Sequence, residues 1–167
     1  TPGAYKAGGA GATIGYTIMD SALGRMLVAG TTRGLCAVYF GGDDAALERS
    51  LSEEYPRAAI EKHIDSALSA WAQSVCDFLG KKTRHAALRD LPLDVQGTAF
   101  QARVWQALRD IPEGETRSYS EVARAIGQPA AMRAVANACG ANRVAVVIPC
   151  HRVVRENGAT GGYRWGS

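Results

Sequence analysis

TAFQARVWQALRDIPEGETRSYSEVARAIGQPAAMRAVANACG, residues 98–140, announces three helices through its punctuation. Thr98-x-x-Gln101 is a capping-box pattern, in which the hydroxyl of the first residue and the side chain of the fourth each satisfy a backbone N–H left open by the first helical turn. Phe100, Val104, Ala107, Leu108 and Ile111 then fall on one helical face, and Pro112-Glu113-Gly114 ends the run. Ser118-x-x-Glu121 repeats the device ahead of Val122, Ala123 and Ile126, and Gly127-Gln128-Pro129 stops that second helix. A third is expected from about Ala130 to Cys139, closed by Gly140. Two short helices about a tight glycine-containing turn predict a helix-turn-helix in a mainly helical C-terminal domain. Helical hairpins of this length also serve as plain packing units, so charge has to arbitrate.

Upstream the pattern changes. Ile14, Tyr16 and Ile18 alternate, Leu27 to Ala29 is apolar and Leu35 to Phe40 is rich in β-formers, with Gly24, Gly30, Gly34 and Gly41-Gly42 between them. That order predicts an antiparallel three-stranded ribbon. A helix starts at Asp43 or Asp44 and ends near Tyr55-Pro56, and a second carries Ile64, Leu68, Trp71, Val75 and Phe78 before Gly80. Residues 83–97 contain Pro92 and no helical period, and read as a connector. The chain is therefore of α/β composition in the α+β sense: a linker remnant over 1–12, a ribbon-and-helix scaffold over 13–82, the connector, and a helical domain over 98–167.

The net charge of +3 over 167 residues is too mild to indicate a nucleic-acid binder by itself. Its distribution is more informative. Residues 97–167 hold nine Arg and no Lys against five carboxylates, whereas residues 1–96 hold ten basic against eleven acidic side chains. Arg without Lys favours rigid bidentate contacts to phosphates and bases, with a solvated basic face as the plainer alternative. The third helix is thin, with Ala130, Ala131, Ala134, Ala136 and Ala138 around a single long cation, Arg133. A groove only about 6 Å wide admits such a helix and leaves Arg133 able to wedge into a base stack. A packed alanine interface with Arg133 in solvent would produce the same composition.

A hydrophobic fraction of 47% with 21% charged residues excludes a disordered chain, and no run approaches the roughly 18 apolar residues of a membrane-spanning helix. Thr1 to Ala12 is rich in Gly and Ala and lacks the regions of a signal peptide, as expected of a linker left from a longer, multidomain chain. Four cysteines, Cys36, Cys76, Cys139 and Cys150, fit reduced thiols and a cytoplasmic location.

Cys36, Cys76 and Cys139 sit on apolar faces and read as inert small hydrophobes. Cys150 differs. The apolar run Val144 to Ile148, read as a short strand, leads into Pro149-Cys150-His151-Arg152, so that a thiol stands beside an imidazole and a guanidinium. Nearby positive charge lowers a thiol pKa, and the thiolate is the nucleophile. Complete ionisation would raise the nucleophile population about thirtyfold at pH 7, roughly 2 kcal/mol, whereas alignment is worth about 7–11 kcal/mol. A site on Cys150 therefore needs a pocket more than a low pKa. Asn142 can bridge the third helix to the segment carrying Cys150, or can be an ordinary turn residue. Gly158, Gly161 and Gly162 ahead of Tyr163-Arg164-Trp165 form a loop able to present N–H groups and aromatic surface, or an ordinary glycine turn.

Thr98 to Trp105, Tyr119-Ser-Glu-Val-Ala, Ala131-Met-Arg133-Ala-Val, Asn142 and Ile148-Pro-Cys-His-Arg-Val-Val154 together resemble the O6-alkylguanine-DNA alkyltransferases. The motif resemblance covers about residues 91–166; the first half resembles the family in its order of ribbon and helices, which implies a ribonuclease H-like scaffold. The resemblance implies a suicidal repair reaction, in which Cys150 takes the alkyl group of O6-methylguanine, or the methyl of O4-methylthymine, and keeps it as a thioether. It implies that His151 receives the thiol proton through water, that Asn142 holds the helix to the active-site segment, and that Tyr119 donates toward the base as negative charge develops. It further implies a base flipped from duplex DNA, approached through the minor groove by Ala131 and Ala134, with Arg133 in the vacated place. Backbone carbonyls at Cys150 and Val153 would read guanine's exocyclic amine, and the loop Gly161 to Trp165, with Tyr163 and Arg164, would cover the pocket. No metal or organic cofactor and no membrane is implied, and a monomer is expected at the bacterial nucleoid. The Glu that orients the histidine in the family falls beyond Ser167; Glu156 stands too close behind the cysteine motif to match it.

Three other functions fit less well. A helix-turn-helix module that binds lesions without alkyl transfer leaves Cys150 unexplained. A cysteine hydrolase built on Cys150 and His151 requires adjacent residues to reach each other, and a zinc site of Cys139, Cys150 and His151 lacks close paired spacing and a fourth ligand.

Overall fold

A computed structural model describes Gly11, residues 13–62 and residues 65–154, and the chain divides into two compact units, Thr1–Gln96 and Gly97–Ser167. The expected linker remnant lies, Gly11 apart, outside the described residues.

In the first unit β1 (Thr13–Ser21), β2 (Gly24–Thr31) and β3 (Gly34–Gly41) form the expected antiparallel ribbon. Two residues separate Ser21 from its partner Gly24, and this tight turn places Gly24 at φ +101°, a conformation open to a residue without Cβ. All residues from Met26 to Ala29 and from Leu35 to Tyr39 are fully buried. Burial at consecutive positions, odd and even, means that both faces of β2 and β3 are covered, which explains why these stretches read as apolar runs and not as alternations. Helix α1 (Asp44–Glu54) packs on β2 and β3 through Leu47 and Leu51, and α2 (Ser66–Leu79) packs on β1 and β2 through Leu68, Ala72 and Val75. Asp43 caps α1 by accepting from the Ala45 N–H at 3.0 Å, and Asp65 caps α2 by accepting from Leu68 at 2.7 Å. Ile64, expected on the α2 face, lies outside the described residues.

Two features of this unit differ from expectation. A fourth strand, β4 (Ala59–Glu61), pairs parallel with β1 and gives the order β3-β2-β1-β4; three residues are too few to show a period. The stretch 83–97, read as a connector, carries a short helix α3 (Ala86–Arg89) and then lies along the outer edge of β3. There the Leu35 N–H donates to the Pro92 carbonyl and the Asp94 N–H donates to the Leu35 carbonyl, both at 2.8 Å. The approach is so close that a Cβ on Gly34 would stand 2.5 Å from the Pro92 carbonyl carbon. The stretch thereby protects an edge that would otherwise offer unpaired backbone groups.

In the second unit the two capping boxes form at the predicted residues. Thr98 and Gln101 start α4 (Ala99–Arg109), and Ser118 and Glu121 start α5 (Tyr119–Ala125), with reciprocal bonds of 2.9–3.0 Å. Helix α4 buries Val104, Trp105 and Leu108, and the Trp105 indole N–H donates to the Ala138 carbonyl at 2.9 Å, tying α4 to α6 (Met132–Gly140). Gly127, at φ +79°, makes the tight turn between α5 and α6, and the Gln128 N–H folds back on the Ala123 carbonyl at 2.9 Å. The helix-turn-helix is present.

Helix α6 begins at Met132, later than Ala130, because the Ala131 N–H is engaged in a turn on the Gln128 carbonyl at 2.9 Å. Gly140 is its last helical residue and not a left-handed terminator; the helix ends as the N–H groups of Ala141 and Asn142 turn back on the Asn137 and Cys139 carbonyls. The expected strand at Val144 to Ile148 is instead a tight turn. The Val147 N–H donates to Ala145, Ile148 donates to Val144, and Val146 is held at φ +73°. Val144, Ala145, Val147 and Ile148 are all buried, so the apolar run reports burial and not extension. A 3₁₀ turn, Cys150–Arg152, follows, and then β6 (Val153–Val154) pairs parallel with β5 (Arg117–Ser118).

Candidate active site

The Cys150 thiol sits at the start of the 3₁₀ turn, 3% exposed, and the turn left in place of a strand is what positions it. Asn142 organises that turn from inside. Its amide Nδ2 donates to the Ile148 carbonyl at 3.0 Å and to Cys150 Sγ at 3.3 Å, while its Oδ1 accepts from the Val144 N–H at 2.9 Å. One buried side chain thus ties the residue after α6, both ends of the turn and the thiol together. Val146 in the left-handed region is a β-branched residue where glycine or asparagine would be at ease, a strain that the surrounding bonds hold in place.

The thiol's electrostatics differ from the expectation of a pKa lowered by neighbouring cations. Its pKa is pushed well above the usual cysteine value, first by the hydrogen-bonded Cys139 side chain and then by burial, with the Asn142 amide pulling the other way. The thiol S–H also lies 3.6 Å from the Cys139 carbonyl, to which it donates. Arg152, next but one in sequence, is buried and directs Nη1 at the Ile111 carbonyl at 2.8 Å, anchoring the 3₁₀ turn to the residues that follow α4. Sequence proximity had suggested a guanidinium acting on the thiol; the 3₁₀ geometry turns it to a structural task.

The other expected residues fall into two groups. Tyr119, buried, opens α5 directly after β5, and the pairing of Arg117 with Val153 and Ser118 with Val154 brings that helix start alongside the strand that leaves the cysteine turn. Val153 is buried on β6, and His151 is half-buried beside Cys150. Arg133 and Ala134 are exposed in the first turn of α6, Ala131 is half-buried at its N-cap, and no side chain caps the helix. Arg133 and Cys139 are six residues apart on α6, about 9 Å of helical rise. One end of this helix therefore presents a cation to solvent and the other touches the thiol. Gly161, Tyr163, Arg164 and Trp165 lie outside the described residues, as does Glu156.

Cys139 is the site residue that sequence reading missed, because a cysteine on an apolar helical face carries no signal until the turn brings Cys150 against it. Among the described residues no group of three or more His, Cys, Asp or Glu side chains is placed to hold a metal ion. A groove of about 550 Å³ beside α5, lined in part by Asp110, Arg117, Glu121 and Arg124, contains none of the expected site residues. It offers charges of both signs and no nucleophile.

Comparison with known proteins bears on both units. Residues 99–167 match the family model of the 6-O-methylguanine DNA methyltransferase DNA-binding domain, and residues 14–94 that of the 6-O-methylguanine DNA methyltransferase ribonuclease-like domain. The chain is 47% identical over 164 residues to the bifunctional transcriptional activator/DNA repair enzyme Ada of Escherichia coli, covering 97% of this chain and 45% of Ada, so it spans less than half of that relative. It is 40% identical over 156 residues to the methylated-DNA–protein-cysteine methyltransferase of Mycolicibacterium paratuberculosis, covering 92% of this chain and 86% of the relative. The crystal structure of Mycobacterium tuberculosis OGT in complex with DNA superposes with a TM-score of 0.70 at 34% identity, over 89% of this chain and 83% of that one. With two complementary family domains, a relative covered over most of its length, and a cysteine held by asparagine at the end of a helix-turn-helix, the chain belongs to the O6-methylguanine-DNA methyltransferase family.

Proposed function

We propose that the chain repairs alkylated DNA by moving the alkyl group of O6-methylguanine, and of O4-methylthymine, irreversibly onto Cys150. The observation that carries this reading is the buried Cys150 thiol, gripped by Asn142 at one end of α6 while Arg133 stands free-facing at the other. A helix start with no side-chain cap and an exposed Arg favours a phosphate backbone, and the small residues Ala131 and Ala134 let α6 approach the minor groove closely. Arg133 takes the place of the flipped base, about one and a half helical turns from the thiol.

In the reaction the Cys150 S–H proton passes through water to His151, and sulfur attacks the alkyl carbon in line with its bond to O6. That carbon–oxygen bond breaks, its electron pair stays on the base, and Tyr119 donates toward the base ring as charge builds there. The net change converts a thiol and an O-alkyl base into a thioether and the normal base, with the thiol hydrogen ending on the base. A thioether has no acidic proton and is a poor leaving group, so each molecule acts once. The carbonyls of Cys150 and Val153 read the exocyclic amine of guanine. The chain works as a monomer, without metal or organic cofactor, on chromosomal DNA in the cytoplasm.

The test is intact mass after one equivalent of duplex carrying O6-methylguanine. One added methylene equivalent on the chain, mapped to Cys150 and absent in Cys150→Ala, is the expected result. Substrate turnover beyond one equivalent overturns the suicidal mechanism, and tight binding with no mass gain leaves only a lesion-binding module.

A further inference from the structure

Cys139 makes and breaks no bond in the proposed transfer, yet its side chain is a hydrogen-bond partner of the proposed acceptor thiol and its carbonyl lies 3.6 Å from Cys150 Sγ. Both residues are buried, at 1% and 3% exposure, and both are free thiols. They are the two cysteines of the second unit, eleven positions apart. Cys139 is the penultimate residue of α6, where the helix ends, and Cys150 opens a one-turn 3₁₀ segment. Closure to a sulfur–sulfur bond of about 2.0 Å brings together two side chains that are already hydrogen-bond partners, each at an end of its element.

We propose that Cys139 and Cys150 form a reversible redox pair, in which a peroxide converts the two neighbouring thiols into an intramolecular disulfide that stores the acceptor cysteine in a recoverable form. Hydrogen peroxide oxidises Cys150 to a sulfenic acid with release of one water. The Cys139 sulfur then attacks the sulfenic sulfur, forming the disulfide and expelling a second water. Each cysteine sulfur gives up one electron, the two thiol protons leave in the waters, and the peroxide is reduced. With no second thiol in reach the sulfenic acid would proceed to sulfinic and sulfonic acids, which ordinary thiols do not reverse. For a protein used once, that difference decides whether an oxidised molecule is spent or held in reserve; this consequence rests on Cys150 being the alkyl acceptor, while the disulfide itself does not.

The experiment treats the full chain with hydrogen peroxide, blocks remaining thiols with N-ethylmaleimide, and reads intact mass and non-reducing peptide maps before and after dithiothreitol. The expected result is loss of two hydrogens, a cross-linked peptide pair containing Cys139 and Cys150, and return to the reduced mass with dithiothreitol. Cys139→Ser, with Cys139→Ala as a second variant should the first fail to fold, is expected to gain oxygen atoms at Cys150 that dithiothreitol does not remove. Oxygen addition at Cys150 of the parent chain without a cross-link overturns the proposal, as does a cross-link from Cys150 to Cys36 or Cys76. Because the cross-link is read without DNA, a disulfide in a chain that takes up no alkyl group counts against the repair reading alone. Alkyl uptake without a disulfide counts against the redox pair alone.

Discussion

Replacing Asn142 by alanine removes one donor and one acceptor from the inside of the cysteine turn. The change leaves the Val144 N–H and the Ile148 carbonyl without their side-chain partner in a region 0–1% exposed. The Ile148 carbonyl keeps the Cys150 N–H at 2.9 Å, so the Val144 N–H is the group left unpaired, and a buried polar group in that state costs about 1–3 kcal/mol of stability. The effect on chemistry is separable. Asn142 donates to Cys150 Sγ at 3.3 Å and favours the thiolate, and a hydrogen bond to a charged group is worth about 1.5–3 kcal/mol. Its loss should slow single-turnover alkyl transfer by about 10- to 150-fold under conditions where circular dichroism shows the variant folded. The assay pairs urea denaturation with rapid-quench transfer from O6-methylguanine duplex. A variant that unfolds at the parent's midpoint and reacts within about twofold of the parent rate would refute the assignment of Asn142 as the residue that holds both turn and thiol.

Because the Cys150 pKa stands well above the usual cysteine value, its reaction with iodoacetamide should accelerate about tenfold per pH unit from pH 7 to 9, following the thiolate fraction. A plateau at or below about pH 8.5, the ordinary thiol pKa, would contradict the dominance of Cys139 and burial. Val146→Gly should raise stability by about 1 kcal/mol in urea denaturation, since it releases a β-branched residue from φ +73° at the cost of a half-buried side chain; a loss of stability would show that the packing outweighs the strain. Burial, helped by the Glu48 carboxylate that accepts its hydroxyl hydrogen bond, raises Tyr16 to about pKa 12. A raised folded pKa contributes stability in full below the unfolded value near 10 and loses it as pH rises toward 12. Denaturation midpoints of the parent chain should therefore fall more steeply between pH 10 and 12 than those of Tyr16→Phe.

What the sequence discloses is mostly local. Thr98 with Gln101 and Ser118 with Glu121 are three residues apart, and the bonds they make in space are the ones their spacing predicts. The same holds for Asp43 as a cap, and for the three-stranded ribbon, whose hairpin turns leave little freedom of pairing. Non-local placement is where reading along the chain stops. The three residues of β4 pair with a strand more than forty positions away, and residues 92–94 take their place only because Gly34 leaves room beside β3. At the site the apolar run Val144 to Ile148 satisfies the composition of a strand equally well, and only Asn142, bonding both ends of it, and the positive φ of Val146 make it a turn. That turn is in turn what sets Cys139 against Cys150 and points Arg152 at Ile111 instead of the thiol.

The raised pKa changes the physical account of the alkyl transfer proposed for Cys150. Each pKa unit above the ordinary value removes another tenfold of thiolate and adds about 1.4 kcal/mol to any reaction that needs it. Alignment of the thiol with a seated alkyl group supplies about 7–11 kcal/mol, enough to absorb several such units. An electrophile diffusing past gains no such alignment and meets a protonated, buried sulfur. High pKa therefore acts as discrimination: it slows encounters that consume the cysteine without repair, peroxide oxidation among them, and weighs least on the proposed transfer, in which the alkyl group is already seated against the sulfur. For a multiple-turnover enzyme a suppressed nucleophile would be a continuing loss of rate. For the single-use acceptor proposed, selectivity before the reaction counts for more than speed during it, and the opposing pulls of Cys139 and Asn142 on one sulfur would set that balance.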